Sequence, residues 1–354
     1  MIQRPLTIVH VSVFPFGLRD VFPHAVSVKL TNGLIRNGHL VLNFSDRDVA
    51  RAKSLLGHRK LGVRPANGAL LHFCRFHKPD VLLLGHADVI QPATLAAIRD
   101  SLPAIRIGQW NVDPLFEPDN VRRFRSKFAV VDASFVSTGG TALDALRDGG
   151  RNGVSFMPNP VDFSIERGRN DLRDDLPYDL LYACGHPFRP PRHICGRDWD
   201  MNEFMRMLLD RLPHVRPLLG GLLGRPKLSG GAYQDVLEQV ALGLNISRRP
   251  DHYLYSSDRI VQLAGNGVVV LMERATGYGD VFSEDEMAFF DTVDELVERI
   301  RSLSADPARR RRIAASGRAR YHALFNERAV AAHLCAVLTG EYGPEAMPWP
   351  MRTR

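Results

Sequence analysis

Cysteine is scarce in this chain: its 354 residues include four, Cys74, Cys184, Cys195 and Cys335, with no C-x-x-C spacing and no paired histidine motif. That scatter argues against a disulfide framework and against a zinc cage. Lysine is scarcer than usual as well. Only six of the 46 basic residues are Lys, so the net charge of +7 is carried almost entirely by arginine. Long apolar runs are also missing. The longest, around Val81–Leu84 and Val268–Met272, are strand-length, against the ~18–20 residues that span a bilayer. The N-terminal run Leu6–Val13 is interrupted by His10 and ended by Phe14-Pro15-Phe16-Gly17, with no small-residue cleavage pattern after it. It reads as a first strand, and a cytoplasmic location is expected. No G-x-G-x-x-G follows that strand, and neither G-x-x-x-x-G-K-[ST] nor G-x-S-x-G occurs, which weakens dinucleotide, P-loop and nucleophile-elbow readings. Asp46-Arg47-Asp48 and Asp198-Trp199-Asp200 match a metal-nucleotide Asp-x-Asp pattern, but matches this short arise by chance and are set aside.

What is present is an ordinary globular composition, 45% hydrophobic and 24% charged, in a length that suits two domains better than one or three. The pI of about 9.4 favours an anionic partner, whether a nucleoside diphosphate, a phospholipid surface or nucleic acid. Charge alone does not choose among them.

Apolar runs alternate with helical periodicity from the start. Leu6–Val13 precedes a helix pattern through Leu34 and Ile35 that stops at Asn37-Gly38; then come Leu40–Phe44, Val81–Leu84, Ile105–Gln109, Ser134–Ser137 and Val154–Met157. Continuous apolar strands separated by crossover-length stretches predict an α/β protein with a parallel sheet covered on both faces. Met157-Pro158-Asn159-Pro160-Val161-Asp162 and the polar stretch Arg167–Asp175 read as an interdomain linker. The alternation then restarts at Asp179–Ala183 and runs through Met287–Phe290, a second doubly wound unit. Thr292-x-x-Glu295 predicts a capping box, and Asp306-Pro307 the start of an Arg-rich helix containing Arg309–Arg312. That run reads as a solvated face, with peripheral contact at an anionic membrane the functional alternative.

Two such domains place ligands at the carboxyl ends of their strands. After Asp179–Ala183 comes Cys184-Gly185-His186-Pro187-Phe188-Arg189, with Arg192 and Arg197 beyond; Gly185 would let backbone approach a ligand, and His186 and Arg189 could answer phosphate charge. Leu242-Gly243-Leu244-Asn245 ends a strand, and Ser256-Ser257-Asp258-Arg259 opens a helix. The helix N-terminus, with Ser257 and Arg259, could hold a diphosphate, and Gln262 one turn inside could reach a ribose. The plainer alternative is a helix capped by Ser256 or Ser257. In the first half, Gly108-Gln109-Trp110-Asn111-Val112-Asp113-Pro114 follows a strand. Asp113 could accept a proton from an acceptor hydroxyl, or Asp-Pro could simply open a turn. His24, ahead of the first long helix, is the other candidate base, or else a capping or surface residue.

Taken together, Leu34-Ile35-Arg36-Asn37-Gly38-His39-Leu40-Val41, the Met157–Asp162 segment, Leu244-Asn245-Ile246 through Arg259, Gly265-Asn266-Gly267-Val268-Val269, and the ending from Phe289-Phe290-Asp291 to Gly317-Arg318 resemble GT-B glycosyltransferases. Within that fold they resemble most the spore-maturation CgeB-like group, near the group 1 glycosyltransferases. The resemblance implies two Rossmann-like doubly wound domains facing a central cleft: residues 1–162 on the acceptor side, 163–335 binding the nucleotide sugar, and a tail 336–354 crossing back. It implies transfer of a sugar from a nucleoside-diphosphate donor to a glycan, lipid-linked or protein acceptor, in cell-surface polysaccharide or glycoconjugate synthesis. No metal, no cofactor and no nucleic-acid partner are expected. Carried onto this chain, the donor side falls to Gly185, Asn245, Ser257, Arg259 and Gln262. Relatives of this type usually carry Glu where Gln262 stands, and a second Glu eight positions earlier where this chain has Leu254. Those departures keep two alternatives open: a non-catalytic sugar or nucleotide binder, and a sugar-nucleotide epimerase on the same fold.

Overall fold

The computed structural model describes residues 4–14, 25–54, 57–147, 153–184 and 191–351. The chain divides into two compact units, Met1–Pro160 with Glu327–Pro348, and Val161–Asn326 with Trp349–Arg354.

In the first unit the strands are β1 (Thr7–Ser12), β2 (Leu40–Ser45), β3 (Val81–Gly85), β4 (Arg106–Asn111), β5 (Ala133–Val136) and β6 (Gly153–Phe156). All pair in parallel, in the order β2-β1-β3-β4-β5-β6. The connecting helices are α1 (Val26–Arg36), α2 (Asp46–Ala52), α3 (Val63–His77), α4 (Pro92–Ser101), α5 (Pro118–Arg125) and α6 (Gly140–Arg147). Val9, Val11, Leu82, Leu84 and Ile107 point into one core beneath Leu70, Leu95 and Ile98. Each such side chain contributes about 1.5–3 kcal/mol by leaving water. The chain leaves β1 for β2 on one side and crosses back to β3 on the other, so the winding reverses between β1 and β3. That reversal opens a crevice at the carboxyl ends of those two strands.

The second unit repeats the plan. Its strands are β7 (Tyr178–Ala183), β8 (Arg192–Ile194), β9 (Arg197–Trp199), β10 (Pro217–Gly220), β11 (Val240–Leu244), β12 (Val269–Glu273) and β13 (Ala288–Phe290). The main sheet runs β10-β7-β11-β12-β13, all parallel, while β8 and β9 form a small antiparallel hairpin. Here the winding reverses between β7 and β11. Its helices are α7 (Met201–Asp210), α8 (Gly230–Leu237), α9 (Arg259–Gly265), α10 (Val293–Ala305) and α11 (Pro307–Leu324). The start signals read in the sequence are in place: Thr292 accepts from the Glu295 amide at 3.1 Å and Asp306 from the Arg309 amide at 2.9 Å.

Two expectations need revision. Residues 327–335, expected in the second domain, belong to the first. They form most of α12 (Glu327–Thr339), which packs on α1. Glu327 pairs there with Arg36 at 2.6 Å, and the close approach needs Gly33, where an added Cβ would fall 2.0 Å from the Glu327 carbonyl oxygen. The polar stretch after residue 161 belongs to the second unit and is anchored in it. Glu166, Asn170 and Asp171 are buried, and Asn170 donates to the Leu237 and Val240 carbonyls at 2.7 and 2.8 Å. The Arg309–Arg312 run is only half solvated, because Arg310 is buried on the Arg173 carbonyl and Arg311 pairs with Asp174 at 2.9 Å.

Candidate functional site

In the second unit, Arg259 opens α9 and its guanidinium folds back over the ends of both strands at the reversal. Nη2 donates to the Ala183 carbonyl at the end of β7 (3.0 Å), and Nη1 to the Ile246 carbonyl just past β11 (3.2 Å). Arg192, first residue of β8, converges on the same place: Nη1 donates to the Ile246 carbonyl at 2.8 Å and Nη2 to the Cys184 sulfur at 3.7 Å. Both guanidiniums lie over the Tyr182 ring, at 5.0 and 6.0 Å from its centroid. Among the described residues neither has a carboxylate partner. Each guanidinium carries five N–H donors and spends two here, so both keep donors for an incoming group.

Polar atoms without hydrogen-bond partners surround this pair. Among the described residues the fully buried Tyr182 hydroxyl has no hydrogen-bond partner; burial pushes its phenol pKa up while Arg259 and Arg192 pull it down. Asn245, also buried, donates from Nδ2 to Ser256 Oγ at 2.8 Å, and Ser256 donates on to the Ser257 carbonyl at 3.0 Å. Asn245 Oδ1 and Ser257 Oγ are buried without hydrogen-bond partners in the described structure. Helix α9 has seven residues, and its N-cap, Asp258, makes no side-chain capping bond. So short a helix contributes little dipole, and the two guanidiniums supply the positive field. Gln262 turns its amide to Asp258, Nε2 donating to Oδ2 at 2.8 Å. Leu254 is buried and holds a left-handed backbone with φ 55°. Gly185, His186 and Arg189 lie outside the described residues.

In the first unit, Asp113 sits past the end of β4, its amide held by Asn111 Oδ1 at 2.7 Å in a tight polar turn. Its carboxylate does not stand alone: it lies 3.5 Å from Nδ1 of His86, the residue that follows β3 at the reversal. His86 adopts a left-handed backbone, φ 48°, a strained choice for a side chain of its size. Burial lowers its pKa and the Asp113 charge works against that, so the imidazole is neutral at pH 7, the form that accepts a proton. Its ring packs edge-on against Trp110 at 5.4 Å. Trp110 is itself anchored: its indole N–H donates to His10 Nε2 at 3.1 Å, and His10 Nδ1 bonds Thr31 Oγ1 at 2.9 Å. Because an indole can only donate, His10 carries its proton on Nδ1, and burial pushes its pKa down to about 3. Gly85 gives the indole its space, since a Cβ there would fall 2.0 Å from Trp110 Cζ2. His24, the other expected base, lies outside the described residues.

Sequence reading thus placed Asn245, Ser257, Arg259 and Gln262 in one neighbourhood of the second unit and Asp113 in the first. It passed over His86, Tyr182 and the full part played by Arg192. The signal for His86 was a Gly-His pair ending the apolar run Val81–Leu84. In the sequence Arg192 stands out only as a neighbour of the Cys184–Arg189 segment.

Residues 189–336 match a family model described as glycosyl transferase-like. That segment is similar to a glycosyl transferase-like domain. The match spans most of the second unit and the first ten residues of α12. No curated protein matches. Among solved structures, the chain resembles sucrose-phosphate synthase from Thermosynechococcus elongatus, with a TM-score of 0.60 at 13% identity over 95% of this chain and 98% of that one. It also resembles HepE of Anabaena in complex with UDP-glucose, with a TM-score of 0.57 at 12% identity over 94% and 99%. A third is a UDP-forming trehalose-phosphate synthase from Burkholderia xenovorans, with a TM-score of 0.57 at 13% identity over 94% and 98%. At such identities the likeness is one of fold, and the fold is GT-B. The arginine pair and Asn245 all lie inside the matched segment.

Proposed function

We propose that this protein is a glycosyltransferase that moves a sugar from a nucleoside-diphosphate sugar, bound by the second unit, to an acceptor hydroxyl presented to His86. The observation that carries the reading is the pair of half-buried guanidiniums at the β7/β11 reversal, fixed by backbone carbonyls and, among the described residues, without a carboxylate partner. An oriented cation in that position is worth most where negative charge grows during the reaction, on the departing diphosphate. Because Arg192 and Arg259 are already held, little reorganisation is needed when the charge arrives. The chain's own residues therefore compensate the diphosphate without calling on a metal. On the acceptor side, neutral His86 takes the hydroxyl proton, and Asp113 steadies the imidazolium that results. The family match and the fold of the neighbouring structures support this chemistry, and the UDP-glucose bound by HepE makes a uridine nucleotide the first donor to try. The two exposed arginines left on α11, Arg309 and Arg312, would each add only about 1 kcal/mol at an anionic membrane surface, so any membrane contact is weak.

The test is incubation of the full chain with a panel of nucleotide sugars, with nucleotide release and donor identity followed by chromatography. Release should appear, and Arg259→Met and Arg192→Met should each weaken donor binding by about tenfold or more, the worth of a charge-assisted hydrogen bond. Binding without turnover would make the protein a sensor. An altered donor sugar would make it an epimerase. No binding of any nucleoside diphosphate would end the proposal.

A further inference from the structure

A second group of charges lies in the first unit beside the His86–Asp113 pair. Asp88, Asn120, Arg123 and Lys127 share with His86 and Trp110 the walls of one recess. Lys127 is 9% exposed. Among the described residues its ammonium makes no hydrogen bond and no ion pair; Asp88 and Asp46 attract it only from a distance, and burial lowers its pKa. Asp88 is already engaged by Arg47 at 2.6 Å, and Asp113 faces His86. Arg123, at the exposed rim, has a guanidinium that among the described residues bonds only the side-chain amide of Asn120. The two carboxylates of the recess thus have partners, and among the described residues its two cations have no counter-charge in contact. A desolvated ammonium without an anion is costly, and an arriving anion removes the cost. The recess has a volume of about 30 Å³; at roughly 10–15 Å³ per water this suits one small terminal group rather than a sugar ring.

We propose that this recess is an anion subsite for the acceptor: Lys127 and Arg123 hold a phosphoryl or carboxylate group borne by the acceptor sugar, and so bring its hydroxyl to His86. The substrate class is then a sugar phosphate or a sugar acid. The assignment rests on the transferase reading, but binding tests it without turnover. Full-length protein is titrated calorimetrically with glucose 6-phosphate, glucuronate and glucose as probes. At least one anionic sugar should bind where glucose does not, and whichever binds names the group. Arg123→Gln, an exposed substitution that leaves the core alone, and Lys127→Met should each weaken that binding by about tenfold or more, with nucleotide affinity unchanged. Equal binding of all three sugars, or anion binding indifferent to Arg123→Gln, overturns the subsite. Anion binding lost in both variants, with no nucleotide sugar turned over by the parent protein, upholds the subsite and defeats the transferase reading instead.

Discussion

Acidification from pH 7 to pH 5 should loosen the first unit, and much of the loss can be assigned to two histidines. Burial holds His10 at a pKa of about 3 and His333 at about 4, against 6.5 for an unburied imidazole. Both are depressed in the fold, so between those values the unfolded chain takes up protons that the folded chain refuses. Their stability is whole above about pH 6.5 and drains as the pH falls toward the folded values. At pH 5 each lies about 1.5 units below its unfolded pKa and still above its folded one, a cost of about 2 kcal/mol per histidine. Asp46 works the other way. Burial raises it to about 6, so its folded form gains a proton first and returns about 1 kcal/mol by pH 5. The net loss is at least about 3 kcal/mol, and depressed His39 and His86 add to it. The chain has three tryptophans, so Trp199→Phe with Trp349→Phe leaves Trp110 as the reporter of this unit in urea unfolding. In that background His10→Gln removes one titrating group while keeping an acceptor for the indole, and the loss between pH 7 and 5 should shrink by about 2 kcal/mol. An undiminished loss in the variant would refute the assignment.

The pair at β3 and β4 makes a sharper kinetic claim. His86→Gln should cost turnover about 10²–10⁴-fold with donor affinity unchanged, as loss of a proton acceptor does. Asp113→Asn should cost less and move the acidic limb of the pH profile downward, because the Asp113 charge raises the His86 pKa; an upward move would contradict the pairing. Gly85→Ala drives a methyl to 2.0 Å from the Trp110 ring and should destabilise the first unit by about 1–3 kcal/mol; an unchanged melting temperature would show that the indole is not fixed as described. A double-mutant cycle of Arg192→Met and Arg259→Met on nucleotide binding should show coupling of about 0.5 kcal/mol or more if both hold one anion, whereas additive losses would mean two separate ligands.

The parallel sheets were legible because strands buried on both faces leave unbroken apolar runs. Val81–Leu84, read as a strand, is the buried core of β3, and Asp179–Ala183 lies within β7. Start signals at Thr292 and Asp306 were legible because each is a local bond between a side chain and an amide three residues on. The β8–β9 hairpin was not, since three-residue strands carry no periodicity. The destination of α12 was not legible either. It depends on Gly33 meeting the Glu327 backbone, a contact between residues almost 300 apart. In the site, local chemistry pointed to Arg259 and Asp113, but their partners come from other strands. Nothing near Asp113 in sequence names His86, and nothing near Arg259 names Tyr182.

The choice of arginine at the second site follows from what a strand edge offers. The carboxyl ends of β7 and β11 present the carbonyls of Ala183 and Ile246, which would repel an anion left to face them. Arg259 covers both with two of its own N–H groups and keeps its flat face on Tyr182, so an electronegative edge becomes an electropositive one. Lysine has the charge but concentrates its donors at one point; it cannot span the two carbonyls and stack at once. Arg192 shares the Ile246 carbonyl, which brings a second planar fork to the same place, and two forks suit a diphosphate, with its two sets of oxygens, better than a single phosphate. The composition hinted at this with its few lysines, yet the reason lies in the topology: a winding that reverses at β7/β11 creates the bare carbonyls, and a planar, many-donor cation covers them and leaves the edge electropositive.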